Sequence, residues 1–259
     1  MRIIKIDGQH PLCFESFQED SIPAYAMLSH TWGRDGEEVN LQYFRSVQKR
    51  STTGWQKIEF CKEQAIKNGI QYFWVDTCCI DKRNSAELIE AITSMFRWYQ
   101  RAKKCFVYLS DVSSSKRRKH DPSAALRWEE QFEQSRWFRR GWTLQELIAP
   151  STVEFFSQDG RRLGSKRSLE QKIHHVTGIA IEALRGQPLR TFTVQQRFDW
   201  AIDRETQREE DQAYCMLGIF DVSMVANYGE TKERALGRLR EEIEKSINCK
   251  DEQPVWYSC

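Results

Sequence analysis

The residues best suited to chemistry are a glutamate, a tryptophan one helical turn before it, a pair of arginines and two polar clusters that follow apolar runs. In "GWTLQELIAP" (141–150), Glu146 is bracketed by Leu144 and Leu147, and Pro150 must end the helix. Such a carboxylate either lies on the wet side of a short surface helix or faces a pocket and acts on something. Trp142 lies at i−4, so its ring shares a helical face with the carboxylate and could stack on a bound ring or close a pocket, unless it is a core aromatic. Arg139 and Arg140 suit bidentate contact with phosphate, or a solvated helix start. Ser29, His30 and Trp32 end an apolar run and could line a nucleotide pocket, although His30 alone suits a structural role equally well. Asp76 and Asp81 flank "TCCI", where two acids fit ribose binding or the fixing of a loop through hydrogen bonds to the backbone. Cys78 and Cys79 read as small apolar packing groups, because no partner histidine is identified for a thiol nucleophile.

These side chains need elements to hold them. "YAMLSHTWG" (25–33) reads as a buried strand that opens into a loop, and Trp55, Ile58, Cys61 and Ala65 repeat at helical spacing up to an Asn68–Gly69 cap. "IQYFWVDT" (70–77) reads as a second strand. Asn84 and Glu87 form a capping box before a helix striped by Leu88, Ile92, Met95, Tyr99 and Ala102, and "CFVYLSD" (105–111) is a third strand. Strand, helix, strand, helix, strand describes a parallel sheet with right-handed crossovers. Ligands of such sheets bind beyond the carboxyl ends of the strands, which selects Ser29 to Gly33, Asp76 to Asp81, and Ser110–Asp111. Residues 128–150 offer two helices, and 153–166 a strand, an Asp159–Gly160 turn and a short return strand. Beyond residue 188 the pattern is helical, ending in a helix with Leu236, Leu239, Ile243 and Ile247 on one side.

Bulk composition narrows the function classes. With 39 basic and 37 acidic residues among 259, a net charge of +2 is too balanced for a dedicated nucleic-acid binder. The run "KRRKH" (116–120) reads as a solvated face, and a nucleic-acid effector is the weakest of the readings. No window approaches the roughly 20 apolar residues of a membrane span, and "MRIIKIDGQH" is no signal peptide, so a cytoplasmic location is expected. The 8 cysteines include no CxxC pair, so reduced thiols and no metal site are expected, with His174–His175 or His120 the remaining candidate ligands.

The blocks "YAMLSHTWG", "GWQKIEFCKEQAIKNGIQYFWVDTCCIDK" and "RGWTLQELIAP", followed by "DQAYCMLGIFDV" and "NYGE", closely resemble the signature blocks and extension of the fungal heterokaryon incompatibility (HET) domain. The chain departs from the family pattern at Asp199, Gln207, Ala226 and Asn227. The resemblance implies a domain over residues 1–187 with a TIR-like, flavodoxin-like parallel sheet flanked by helices, and a helical extension of the same domain over 188–259. It also implies a cell-death effector. Several TIR domains cleave NAD, and "SRWFRRGWTLQEL" (135–147) is similar in its last positions to the block that carries their glutamate, which makes Glu146 the expected catalytic residue. Ser29, His30, Trp32, Asp76, Arg140 and Trp142 are then the expected substrate contacts, with NAD as substrate, no further cofactor and self-association for activity. Nicotinamide leaves a cationic pyridinium as a neutral molecule, so one ionised carboxylate beside the ribose could suffice where ordinary glycosidases use two. The alternative is a non-enzymatic death-signalling module that recruits partners through its surface.

Overall fold

The computed structural model describes residues 1–8, 11–34, 36–46, 52–114 and 123–251. The basic run at 116–120, with His120, and the last eight residues of the extension lie outside the described residues. Seven strands form one sheet: β1 (Arg2–Lys5), β2 (Cys13–Ser16), β3 (Tyr25–His30), β4 (Tyr72–Trp74), β5 (Lys104–Leu109), β6 (Val153–Ser157) and β7 (Arg162–Ser165). Their order is β2-β1-β4-β3-β5-β6-β7. The four inner strands β4, β3, β5 and β6 are parallel, and the flanking pairs are antiparallel. Every residue of β3 is buried, as a strand covered on both faces requires, and its run of Tyr25, Ala26, Met27 and Leu28 supplies that cover with apolar contacts.

Counting parallel strands only, the second lies beside the first, and the third and fourth lie on its other side. This is the beginning of the flavodoxin-like order, and it puts a reversal point between β3 and β5. The mixed α/β class read from the sequence is the class observed. The first crossover is the helix Thr53–Lys67, started by the Thr52 hydroxyl accepting from Trp55 N–H and closed by Gly69 at φ 64°.

Two local expectations are corrected. The strand expected over 70–77 ends at Trp74, and Asp76–Cys79 instead forms a helical turn that buries Cys78 and Cys79. The capping box before Ser85–Arg101 is half present: the Asn84 side chain accepts from Ala86 and Glu87 N–H. The Glu87 carboxylate is drawn away, accepting from Asp81 N–H and from Arg2, each at 2.7 Å.

Arg136–Arg139 forms a 3-10 turn and Thr143–Ile148 a short helix, which ends before Pro150 as expected. In the extension, the helix Leu217–Phe220 packs against Ser85–Arg101 and against Val194–Asp199, while Asp211–Tyr214 packs against Lys232–Asp251. Gly218 permits the closest approach, since any Cβ there would run into the Phe96 ring of the helix Ser85–Arg101. Leu239 and Ile243 of the last helix are buried, and Ile247 is exposed but lines the same groove as Leu236 and Ile243. Among the described residues no helix is long and apolar enough to cross a membrane.

Candidate functional site

Beyond the carboxyl ends of β3 and β4 lies a cleft of about 250 Å³ lined by His30, Trp32, Asp76, Arg140, Trp142 and Glu146. Six of the seven residues expected from sequence to act together therefore share one pocket. Its floor is the Glu146 carboxyl, 7% exposed. Leu144 and Leu147 on either side are fully buried, so the short helix presses its apolar face inward and carries the carboxyl with it. Glu146 is thus not on the wet side.

Ser29, the seventh, lies outside the cleft lining. It is fully buried behind Glu146, where its hydroxyl donates to Glu146 Oε2 and accepts from the Trp137 indole N–H at 2.8 Å. Its hydroxyl is thus engaged by the glutamate and the indole, away from the cleft lining. Burial raises the Glu146 pKa from 4.5 to about 8; the Ser29 hydrogen bond, the Tyr99 hydroxyl and Arg140 oppose the rise, and Asp76 adds to it. By itself the fold holds this carboxyl largely protonated at pH 7, whereas the sequence reading had it ionised.

Asp76 and Asp81 divide the two roles considered for them. Asp76 faces the cleft, accepts from Trp32 Nε1 at 2.8 Å and lies 3.8 Å from the Lys82 ammonium. Asp81 accepts from Arg83 N–H and the Gln42 amide, and so fixes its loop. Asp111 does the same, accepting from the Ser135 hydroxyl and Arg136 N–H at 2.8 Å each. Arg139 is exposed and outside the cleft, but Arg140 lines it without an ion pair among the described residues.

A charged network backs the His30–Trp32 loop. Lys57 is buried in the first crossover helix, pairs with Glu38 and donates to Thr31 C=O at 3.0 Å. His30 Nε2 is 3.4 Å from Glu38, and Nδ1 is 3.9 Å from Asp76. Burial alone would raise the Glu38 carboxyl; His30 and the Lys57 charge more than reverse it and bring the pKa down to about 2.

The rest of the wall escaped the sequence reading. Lys82 lies over the Trp32 ring at 3.5 Å, and desolvation lowers its pKa against the pull of Asp76. From the extension come Gln207, Arg208, Asp211 and Tyr228. Asp211 accepts from Trp142 Nε1 at 3.1 Å and from the Tyr228 hydroxyl at 2.9 Å, while Arg208 stacks over Tyr228 at 4.2 Å. The only sequence signal was that "DQAY" and "NYGE" belong to the recognised extension, where Asp211 and Tyr228 stand.

The extension is fastened to the loop before Glu146. Gly141 N–H donates to Glu205 C=O at 2.8 Å, and Glu205 N–H to Arg139 C=O at 2.6 Å. Buried Arg204 donates to Arg140 C=O at 2.9 Å and to the Thr143 hydroxyl at 3.0 Å. A Cβ on Gly141 would sit 2.5 Å from a Thr206 methyl, so only glycine permits this approach.

Among the described residues no three His, Cys, Asp or Glu side chains converge as a metal site would require. Cys13, Cys61, Cys78, Cys79, Cys105 and Cys215 are free, and burial pushes the Cys61, Cys78 and Cys105 thiols well up, against a role as nucleophile.

A flavodoxin-like sheet with buried Glu146 beyond its strand ends is the frame onto which the sequence blocks fall, and residues 25–125 match the family described as heterokaryon incompatibility protein (HET). The chain belongs to the heterokaryon incompatibility family. Over 228 residues it is 56% identical to the vegetative incompatibility protein HET-E-1 of Podospora anserina, which covers 88% of this chain and 17% of that protein. The chain thus spans only a small part of the length of the relative it matches. No solved structure matches it.

Proposed function

We propose that this chain is a cell-death effector domain of fungal heterokaryon incompatibility that cleaves NAD to nicotinamide and ADP-ribose products when self-associated. The kinship to HET-E-1 supports the incompatibility role. The enzymatic step rests on one observation: the cleft has a buried acid for its floor and Lys82, Arg140 and Arg208 among its lining residues. A lining that carries both acids and cations suits a ligand with a cationic ring and phosphates. A TIR-like ancestry is part of this reading.

In the proposed reaction the bond between C1′ of the ribose and the pyridinium nitrogen breaks, and both electrons pass to nitrogen, so neutral nicotinamide leaves without a proton. Arrival of the cationic ring favours the ionised form of Glu146, whose charge then stabilises the oxocarbenium-like centre. Water adds to C1′, and its proton passes to the carboxylate. A group titrating near neutrality suits that return. Trp142 and Trp32 flank the ring, and Asp76 lies where it could accept from a ribose hydroxyl.

The test is nicotinamide release by purified protein at low and high concentration, with Glu146→Ala beside the wild type and circular dichroism confirming both folds. Release that rises with concentration and disappears in the variant is expected. No release from folded wild type at any concentration, or equal release from the variant, would overturn the enzymatic reading; the first outcome would favour a signalling module.

A further inference from the structure

We infer that Trp137 and Ser29 are positioning residues that fix the Glu146 carboxyl in one orientation, presenting a single oxygen to the cleft. The inference rests on the reading of Glu146 as the acid that meets substrate, and its test does not need turnover. An indole N–H can only donate, and a serine hydroxyl has one proton to give. Trp137 Nε1 occupies one lone pair of Ser29 Oγ at 2.8 Å, and among the described residues the one acceptor within reach of the serine proton is Glu146 Oε2. Oε2 is therefore an acceptor whether the acid is ionised or neutral. When the acid is neutral its proton sits on Oε1.

Both donors are fully buried and neither lines the cleft, so water cannot replace them. Trp137 is itself wedged edge-on against Phe138 and Phe155, with ring centres 5.1 and 5.6 Å away. The chain from the aromatic core to the carboxyl is thus rigid at its origin. Oε1 then remains for the substrate and its water; the Tyr99 hydroxyl is a further hydrogen-bonding neighbour of the carboxyl and also reaches Leu28 C=O at 3.4 Å. The remaining charged or titratable groups that act on Glu146 are Asp76 from the β4 end, Arg140 from the preceding loop, Cys105 from β5 and Arg204 from the extension. Ser29 removes none of these, so its loss isolates one hydrogen bond.

The experiment is a carbon-13 NMR titration of the Glu146 carboxyl, assigned with Glu146→Gln, in the wild type and in Ser29→Ala, Ser29→Thr and Trp137→Phe. Loss of a donor that favours the carboxylate shifts the Ser29→Ala midpoint upward by about one pH unit. Ser29→Thr restores the midpoint. Trp137→Phe frees the hydroxyl to turn and gives a smaller upward shift. If Ser29→Ala does not fold, Ser29→Cys replaces it and shifts the same way. An unchanged midpoint in the folded Ser29 variant overturns the relay even if nicotinamide is released. A shifted midpoint without any nicotinamide release leaves the relay standing and overturns the proposed reaction instead.

Discussion

Glu146 and Glu38 meet neighbouring residues, Ser29 and His30, and are driven in opposite directions. Glu38 meets a buried ammonium and an imidazole, and its carboxylate is held down to about 2. Glu146 meets hydroxyls inside apolar walls, and its acid is pushed up to about 8. Glu146 is buried and Glu38 half-buried, and burial pushes both acids up, so burial alone does not decide the charge state. The neighbour decides it: a cation repays desolvation and a hydroxyl repays only part of it. One carboxylate therefore serves as a charged strut and the other as a group poised to exchange a proton near neutrality, the pattern that separates structural from acting acids.

The largest way to break the contrast is to remove the cation. In Lys57→Ala the Glu38 carboxylate would lose its buried cation, keeping His30, and Thr31 C=O would lose its donor. The expected loss is about 4 kcal/mol in urea unfolding at pH 7, because the packing of the buried Lys57 stem is lost together with its pair to the half-buried Glu38. Glu38 would also titrate higher, toward the range of Glu146. A loss below about 1 kcal/mol would mean that the pair behaves as a solvated surface bridge.

The next test removes the proton from Glu146. A folded pKa above the ordinary 4.5 means that the proton contributes stability in full below pH 4.5, and that this contribution fades as pH rises toward about 8. At pH 7 the deficit is about 3 kcal/mol. Glu146→Gln should therefore stabilise the fold by about that amount at pH 7 and by nothing at pH 4. Glu38 has the reverse sign: its contribution is present above 4.5 and is lost as pH falls through about 2. Urea midpoints collected from pH 3 to 8 on the wild type and both Glu→Gln variants would separate the two limbs. A Glu146→Gln variant as sensitive to alkaline pH as the wild type would show that another group carries that limb.

This division was only half legible in the sequence. Strands β3, β5 and β6 announce themselves as apolar runs, because strands covered on both faces must be apolar throughout. The edge strand β2 and its neighbour β1 are four residues each, with charges at Arg2, Lys5 and Glu15, and give no such run. His30, Trp32 and Asp76 could be selected because a parallel sheet binds ligands past its strand ends. Ser29 was misplaced by the same rule, since all six residues of β3 are buried and burial on both faces hides which way each side chain points. Tyr99 vanished into a helical stripe, being both core ring and hydroxyl. Lys82, Arg208, Asp211 and Tyr228 join the cleft only through tertiary packing, and Glu38 acts on His30 only because Lys57 is brought to it from another element.

The smallest expected effect asks what keeps the Glu146 side dry. Asp211 and Tyr228 of the extension line the cleft, and the extension is clamped to the Arg139–Gly141 turn through Glu205. A methyl at residue 141 must push against Thr206 and the Cys215 sulfur, the latter 3.2 Å away, and so pry the two apart. Gly141→Ala is expected to cost about 2 kcal/mol, the scale of an overpacked contact. Its more specific signature is in pH dependence. Water admitted at the floor weakens the desolvation that dominates Glu146, so the alkaline decline in stability should shrink and move to lower pH. The Glu38 limb should not move, because Lys57 and His30 belong to the sheet and its first crossover helix, not to the extension. A variant that loses stability equally at every pH would mean that Glu146 is kept dry by Leu144, Leu147 and the sheet alone, with the extension serving only as cover.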